Sequence, residues 1–191
     1  MLARGVESMF HRTERLFLRP GFAEDWQAIH VGLAHLEMVR NLATAPWPYE
    51  EADARSFAKR PQDSVTPHFL VTLPGTGVIG LAGLGYDQAT GEVQLGYWIA
   101  REYWGRGYAS EAARGVLAVA KAIGHQRIVA SHFLDNPASG KVLAKAGFRA
   151  TGEIRAGYSL ARGGHDPVAC FEILLEAKCG RGSTEAMQRA A

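Results

Sequence analysis

An apolar strand that runs through a glycine turn into a helix leaves this chain little choice of local architecture. The strand is Gln94-Leu-Gly-Tyr-Trp-Ile-Ala, the turn carries Gly105 and Gly107, and Ala112, Ala113, Val116, Leu117, Ala120 and Ile123 then recur at helical spacing. The first N–H groups of a helix have no partners within it and carry a partial positive charge, and glycines beside them let an anion approach the main chain. A phosphate or pyrophosphate is therefore expected at Gly105 to Ser110. Taken alone, a Gly-x-Gly turn also reads as a tight turn feeding a packed helix.

Two familiar phosphate readers do not fit the turn. No Gly-Lys-Ser/Thr follows it, as a P-loop requires, and Gly105-Arg-Gly-Tyr-Ala-Ser lacks the third glycine of the dinucleotide fingerprint.

The remaining segments set that unit in a larger α/β pattern. Thr13 to Pro20 alternates as a first strand, and Glu24 opens a helix toward Leu42 with Trp26, Ile29, Leu33, Leu36 and Val39 on one face. Pro46-Trp-Pro-Tyr breaks the pattern and Glu50 to Arg60 resumes as a shorter helix. His68 to Leu73, Val78 to Tyr86 and Glu92 to Ala100 read as the second, third and fourth strands of a meander. Arg127 to Leu134 is the fifth, Ser139 to Ala146 is a short helix stopped by Gly147, and strands near Arg149 to Arg155 and Val168 to Leu175 close the sheet. From Lys178 onward the residues are small and polar, so a flexible tail is expected over 178–191.

Composition narrows the function classes. With 191 residues, 47% hydrophobic and 21% charged, the chain suits one domain with a sizeable core. Its 21 basic and 19 acidic residues are dispersed, with no Lys/Arg block to follow a nucleic-acid backbone. Cys170 and Cys179 lie in neither a CxxC nor a His/Cys cluster, so no metal site or disulfide framework is expected, and reduced thiols suit a cytoplasmic protein. Met1 to Arg12 has no apolar leader core, and no run approaches the ~18 apolar residues of a membrane span.

With Asn136-Pro-Ala-Ser-Gly-Lys and Ala146-Gly-Phe downstream, the stretch from Gln94 to Phe148 resembles the acetyl-coenzyme A core of the GNAT N-acetyltransferases. It is most similar to the RimJ/RimL branch, which acetylates protein N-termini. The family loop is Gln/Arg-x-x-Gly-x-Gly/Ala; Trp104-Gly-Arg-Gly-Tyr-Ala matches it at Gly107 and Ala109 and has Trp104 where Gln or Arg is usual, a mark of that branch. Pro46-Trp-Pro-Tyr-Glu-Glu-Ala-Asp-Ala resembles the helix-loop-helix beside the branch's acceptor site. The resemblance implies an α/β (α+β) GNAT fold: a mixed, mostly antiparallel sheet of about seven strands, splayed between the fourth and fifth and flanked by about four helices. It places an N-terminal extension at 1–12 and one domain at 13–177.

The resemblance also implies roles. Acetyl-coenzyme A would lie on Trp104, Gly105, Arg106, Gly107, Tyr108, Ala109 and Ser110 for its pyrophosphate, on the main chain of Trp98, Ile99 and Ala100 for pantetheine, and on Asn136 and Ser139 near the sulfur. The other readings are a core aromatic for Trp98 and a capped turn for Asn-Pro-x-Ser. Leu143 and Ala144 stand where many members carry a tyrosine acid, so Ser139 is the candidate partner of the leaving thiolate. The branch's usual acids fall on Gln94 and Tyr158, which leaves Glu92 as a base acting through water, or else a solvated glutamate. Gln94, His132 and Tyr158 are placed with the acceptor, a satisfied core histidine being the other reading of His132, and Glu111 complements the helix dipole. The acceptor implied is an α-amine of a protein or peptide attacking directly in a ternary complex, the other readings being a small-molecule amine or, with Gln94 in place of an acid, a non-catalytic acyl-coenzyme A binding module; a homodimer is allowed and no nucleic acid, membrane or metal partner is expected.

Overall fold

In the computed structural model, which describes residues 10–175, the strands are β1 (His11–Arg12), β2 (Phe17–Arg19), β3 (His68–Leu73), β4 (Gly77–Tyr86), β5 (Val93–Ile99), β6 (Arg127–Phe133), β7 (Arg149–Ser159) and β8 (Gly164–Leu174). The helices are α1 (Trp26–Gly32), α2 (Leu36–Val39), α3 (Glu51–Ala58), α4 (Tyr108–Ala122) and α5 (Pro137–Ala146). One eight-stranded sheet runs β1-β2-β3-β4-β5-β6-β8-β7. Every neighbouring pair is antiparallel except β5 and β6, which are parallel and joined at a single register pair, Gln94 with Val129. Past that pair the two strands no longer share a ladder, so the sheet opens into a wedge-shaped gap.

Alternation along β5 sorts its side chains to the two faces. Leu95 and Ile99 join the core under α4 and α5, with Ala112, Ala113, Val116 and Leu143, and Tyr97 packs against the same side. Trp98 points the other way, into the core formed with Ile29 of α1, Leu33 just after it, Val39 of α2 and Ala54 of α3. Each buried aliphatic side chain in these layers contributes about 1.5–3 kcal/mol.

The structure adjusts several expectations. An eighth strand appears because Thr13 to Leu16 is a turn, closed by Thr13 N–H donating to the Leu16 carbonyl at 2.9 Å, and His11–Arg12 folds back on Phe17–Leu18. The sheet thus begins two residues before 13. The helix expected to reach Leu42 is broken after Gly32 and resumes at Leu36. Glycine weakens a helix interior, and the Trp98 ring sits where a Cβ at 32 would be, 2.5 Å away. The last two strands are longer than their apolar cores suggest because they pair as one hairpin closing at Ser159 and Gly164. Residues 1–9 and 176–191, including Cys179 and the expected tail, lie outside the described residues.

Candidate active site

Between β5 and α4 the chain makes a short 3₁₀ turn (Arg101–Tyr103) and then the glycine turn. Gly105 and Gly107 adopt φ of 74° and 81°, a left-handed backbone that costs a residue bearing a Cβ roughly 1–2 kcal/mol. Trp104 N–H donates to the Arg101 carbonyl and Glu111 N–H to the Gly107 carbonyl, each at 3.1 Å. The six N–H groups between them, residues 105–110, meet no acceptor among the described residues, and no side chain caps the helix. Such a run of donors at the positive end of a fifteen-residue helix is an anion cradle.

The cradle is braced from the N-terminal hairpin. Glu111 is buried and accepts from Thr13 Oγ1 at 2.6 Å and from Arg15 N at 2.7 Å, while Arg15 Nε reaches its other oxygen at 2.7 Å. Arg15 also donates to the Arg106 carbonyl at 3.1 Å and lies over the Tyr108 ring. Burial pushes the Glu111 carboxyl up, but the bonds from Thr13 and Arg15 outweigh it and hold the group below the ordinary glutamate range.

The edge of the gap differs in detail from expectation. Ala100 N–H donates to the Ile79 carbonyl at 2.8 Å, so by ladder alternation Trp98 and Ala100 spend their main chain on β4, while Tyr97 and Ile99 turn theirs toward the gap. The Ile99 carbonyl is already taken by Trp104 Nε1 at 2.6 Å. Of the three residues assigned to pantetheine, Ile99 is thus the one with main chain on the gap; Trp98 contributes a buried core ring.

Across the gap, α5 starts on Pro137 with Asn136 as its cap. Asn136 Oδ1 accepts from Ser139 N–H at 3.4 Å, so that oxygen serves the helix. The Ser139 hydroxyl meets the Tyr97 hydroxyl at 2.7 Å, and the same phenol lies 3.1 Å from the Ser139 carbonyl. Burial pushes the Tyr97 phenol up to about 12, against the opposing pull of its bond to Ser139. Tyr97 lies inside the strand read from sequence, which gives it no role of its own.

The remaining candidates have other partners. Gln94 sits at the apex of the wedge, its side-chain amide directed at the Tyr86 carbonyl at 3.5 Å. Glu92 is ion-paired to Arg127, which also holds Glu172, at the closed end of the gap. His132 packs under α5, its Nε2 2.5 Å from where a Cβ at Gly140 would be, with Nδ1 2.8 Å from the Phe133 carbonyl. Tyr158 is exposed and its ring meets His165 in a tilted contact, 5.2 Å between centroids, on the hairpin of β7 and β8. Cys170 is a buried free thiol, and no cluster of metal-ligating side chains occurs among the described residues. No helix among them is long and apolar enough to cross a membrane.

Residues 15–149 match the family model described as "Acetyltransferase (GNAT) domain". The chain is 39% identical over 80 residues to the uncharacterized N-acetyltransferase YoaA of Bacillus subtilis, a match that spans 41% of this chain and 44% of that protein. To the uncharacterized N-acetyltransferase p20 of Bacillus licheniformis it is 28% identical over 175 residues, 88% of this chain and 97% of the other. Its fold superposes on RimL, a ribosomal L7/L12 α-N-protein acetyltransferase solved with coenzyme A, with a TM-score of 0.73 at 17% identity, covering 88% and 99% of the two chains. It also superposes on a spermidine N-acetyltransferase from Vibrio cholerae, with a TM-score of 0.68 at 20% identity, covering 84% and 96%. A family match over most of the chain, on a sheet that opens beside an unpaired helix N-terminus, places this protein in the GNAT family of acetyl-coenzyme A dependent N-acetyltransferases.

Proposed function

We propose that the protein acetylates α-amines of protein or peptide N-termini, in the manner of the RimJ/RimL branch, in the cytoplasm. The observation that carries the cofactor half of this reading is the run of free N–H groups at 105–110, which suits a pyrophosphate and needs little from side chains. Acetyl-coenzyme A supplies a thioester whose carbonyl carbon takes the amine and whose sulfur departs. Ile99 main chain and the Asn136 side-chain amide line the gap for pantetheine, and the Ser139 hydroxyl donates toward the departing sulfur. A serine hydroxyl is a weak acid, so Ser139 acts as a hydrogen-bond donor, and the proton lost by the attacking amine returns to sulfur through water.

The electrostatics favour an acceptor that is partly neutral before it binds. Carboxylates on the elements framing the gap are committed: Glu92 to Arg127, Asp87 to Arg155, Glu111 to Arg15, and Asp135 to Arg40 and Arg162. Glu92, proposed as a base acting through water, is thus paired with Arg127 before any acceptor arrives. Glu102, in the exposed turn after β5, has no ion-pair partner among the described residues; it lines a cavity of about 250 Å³ with Val31, Trp98 and Tyr103 on the α1 side. An α-amine, with a pKa near 8, offers far more neutral form at neutral pH than a lysine or polyamine amine near 10.4.

Labelled acetyl-coenzyme A offered with a panel of peptides, free or blocked at the N-terminus, and a panel of polyamines and amino acids separates the readings. Label on free N-termini only, rising with pH through about 8, is the expected result. Label confined to polyamines or lysine side chains would replace it with a small-amine or side-chain acetyltransferase.

A further inference from the structure

We propose that Tyr97 is a positioning residue of the transfer step: its phenol orients the Ser139 hydroxyl so that the serine proton points into the gap between β5 and β6. The proposal rests on the assignment of Ser139 to the departing sulfur and extends it to a residue to which the sequence assigns no role.

Tyr97 stands on β5 and Ser139 in the first turn of α5, so their contact joins the two sides of the wedge where the ladder is absent. The phenol carries one proton, and two acceptors of Ser139 lie within its reach, Oγ at 2.7 Å and the carbonyl at 3.1 Å. When the phenol donates to Oγ, the serine proton is released from the pair and is free to turn into the gap. When the phenol donates only to the carbonyl, the serine proton is drawn back onto Tyr97 Oη. Negative charge developing on a sulfur in the gap selects the first arrangement by rotation of two hydroxyls, with no heavy atom moving. Donors held in place before charge appears stabilise it most, because no reorganisation is then required.

Both partners are fixed. Tyr97 packs against the core under α4 and α5, and Ser139 is held by the Asn136 cap one residue after the Pro137-Ala138 start of the helix. Burial keeps the phenol neutral well above neutral pH, so it remains a donor across the working range.

The test is the acidity of the coenzyme A thiol bound to the intact protein, read from thiolate ultraviolet absorbance as pH is raised. In the wild type the bound thiol should titrate below free coenzyme A; Tyr97→Phe and Ser139→Ala should each raise it by about one pKa unit, a tenfold change in thiolate fraction, and the double variant no further than Ser139→Ala. A Tyr97→Phe protein that melts earlier or binds coenzyme A less tightly, yet leaves the thiol pKa at the wild-type value, overturns the proposal and leaves Tyr97 a structural pin. Fluorotyrosine at 97 keeps ring and hydroxyl but strengthens the donor, so it should lower the thiol pKa; an unmoved value overturns the proposal without relying on Tyr97→Phe folding. A wild-type value for Ser139→Ala removes Ser139 and Tyr97 together, and no coenzyme A binding by the wild type overturns the cofactor reading itself.

Discussion

Arg15 and Glu111, ninety-six positions apart in the chain, meet at 2.7 Å, and through them the N-terminal hairpin grips the turn that presents the free amides. Arg15 adds a bond to the Arg106 carbonyl inside that turn. The pair thus orders the cradle from the side of the N-terminal hairpin.

Glu111→Gln should loosen the cradle. Arg15 is nearly half exposed, so the pair is partly screened and its loss should cost stability only about 1–2 kcal/mol, with coenzyme A affinity falling roughly fivefold. Urea unfolding and titration calorimetry give the two values. A variant with wild-type affinity would show that the turn holds its shape unaided.

The same carboxylate sets a pH dependence. Its folded pKa lies below the unfolded value of about 4.3, so the ionised form favours the fold; the contribution is complete above that value and lost as pH falls through the folded one. The stability gap between wild type and Glu111→Gln should therefore be full at pH 7 and shrink below about pH 4. Urea midpoints measured across that range test it, and a gap independent of pH would assign the effect to packing.

Gly107 is required for its backbone rather than for space, since a Cβ there would meet only Arg15 Nη2 at 3.5 Å. Gly107→Ala should lower stability by about 1–2 kcal/mol, the cost of a left-handed backbone at a residue with a Cβ. Gly107→Glu places a carboxylate where a pyrophosphate would lie and should abolish coenzyme A binding while leaving a cooperative thermal transition. Retained binding by Gly107→Glu would move the cofactor away from this turn.

Arg162, at the tip of the hairpin of β7 and β8, lays a largely covered side chain over the Phe133 ring and bonds Asp135, Asp166, Asn41 and the Arg40 carbonyl. It fastens the residues before the α5 cap to the loop after α2. Arg162→Ala should destabilise by about 2–3 kcal/mol, less than a fully buried pair because both carboxylates are half exposed. Amide exchange at 134–139 should accelerate more than in α4; uniform acceleration would make the effect global rather than local to the corner.

Ser139→Ala should lower turnover about tenfold, the value of one hydrogen bond to developing charge, and leave coenzyme A affinity within about twofold. Steady-state rates and calorimetry separate the two effects. Equal loss in both would make Ser139 a binding group.

Much of the site could be read before the structure because its parts are local. The glycine turn needs two left-handed residues in sequence, the α4 face repeats every three or four positions, and the α5 start carries its own Asn136 and Pro137 signal. The fate of Glu92 and Trp98 could not be read that way: an alternating strand does not state which neighbour its main chain serves, or that Arg127 will arrive to pair with a carboxylate.

By itself, then, the sequence determined the order of elements, the turn that bares its amides and the helix that follows, because strand alternation, helical spacing and glycine dihedrals act over a few bonds. Tertiary structure alone decided that β5 and β6 part after Gln94 and Val129, that Tyr97 reaches Ser139 across forty-two positions, and that Gly32 yields to the Trp98 ring. Those contacts depend on strand order and register, and only the assembled sheet, with both faces covered by helices, selects one register from the many that local preference allows.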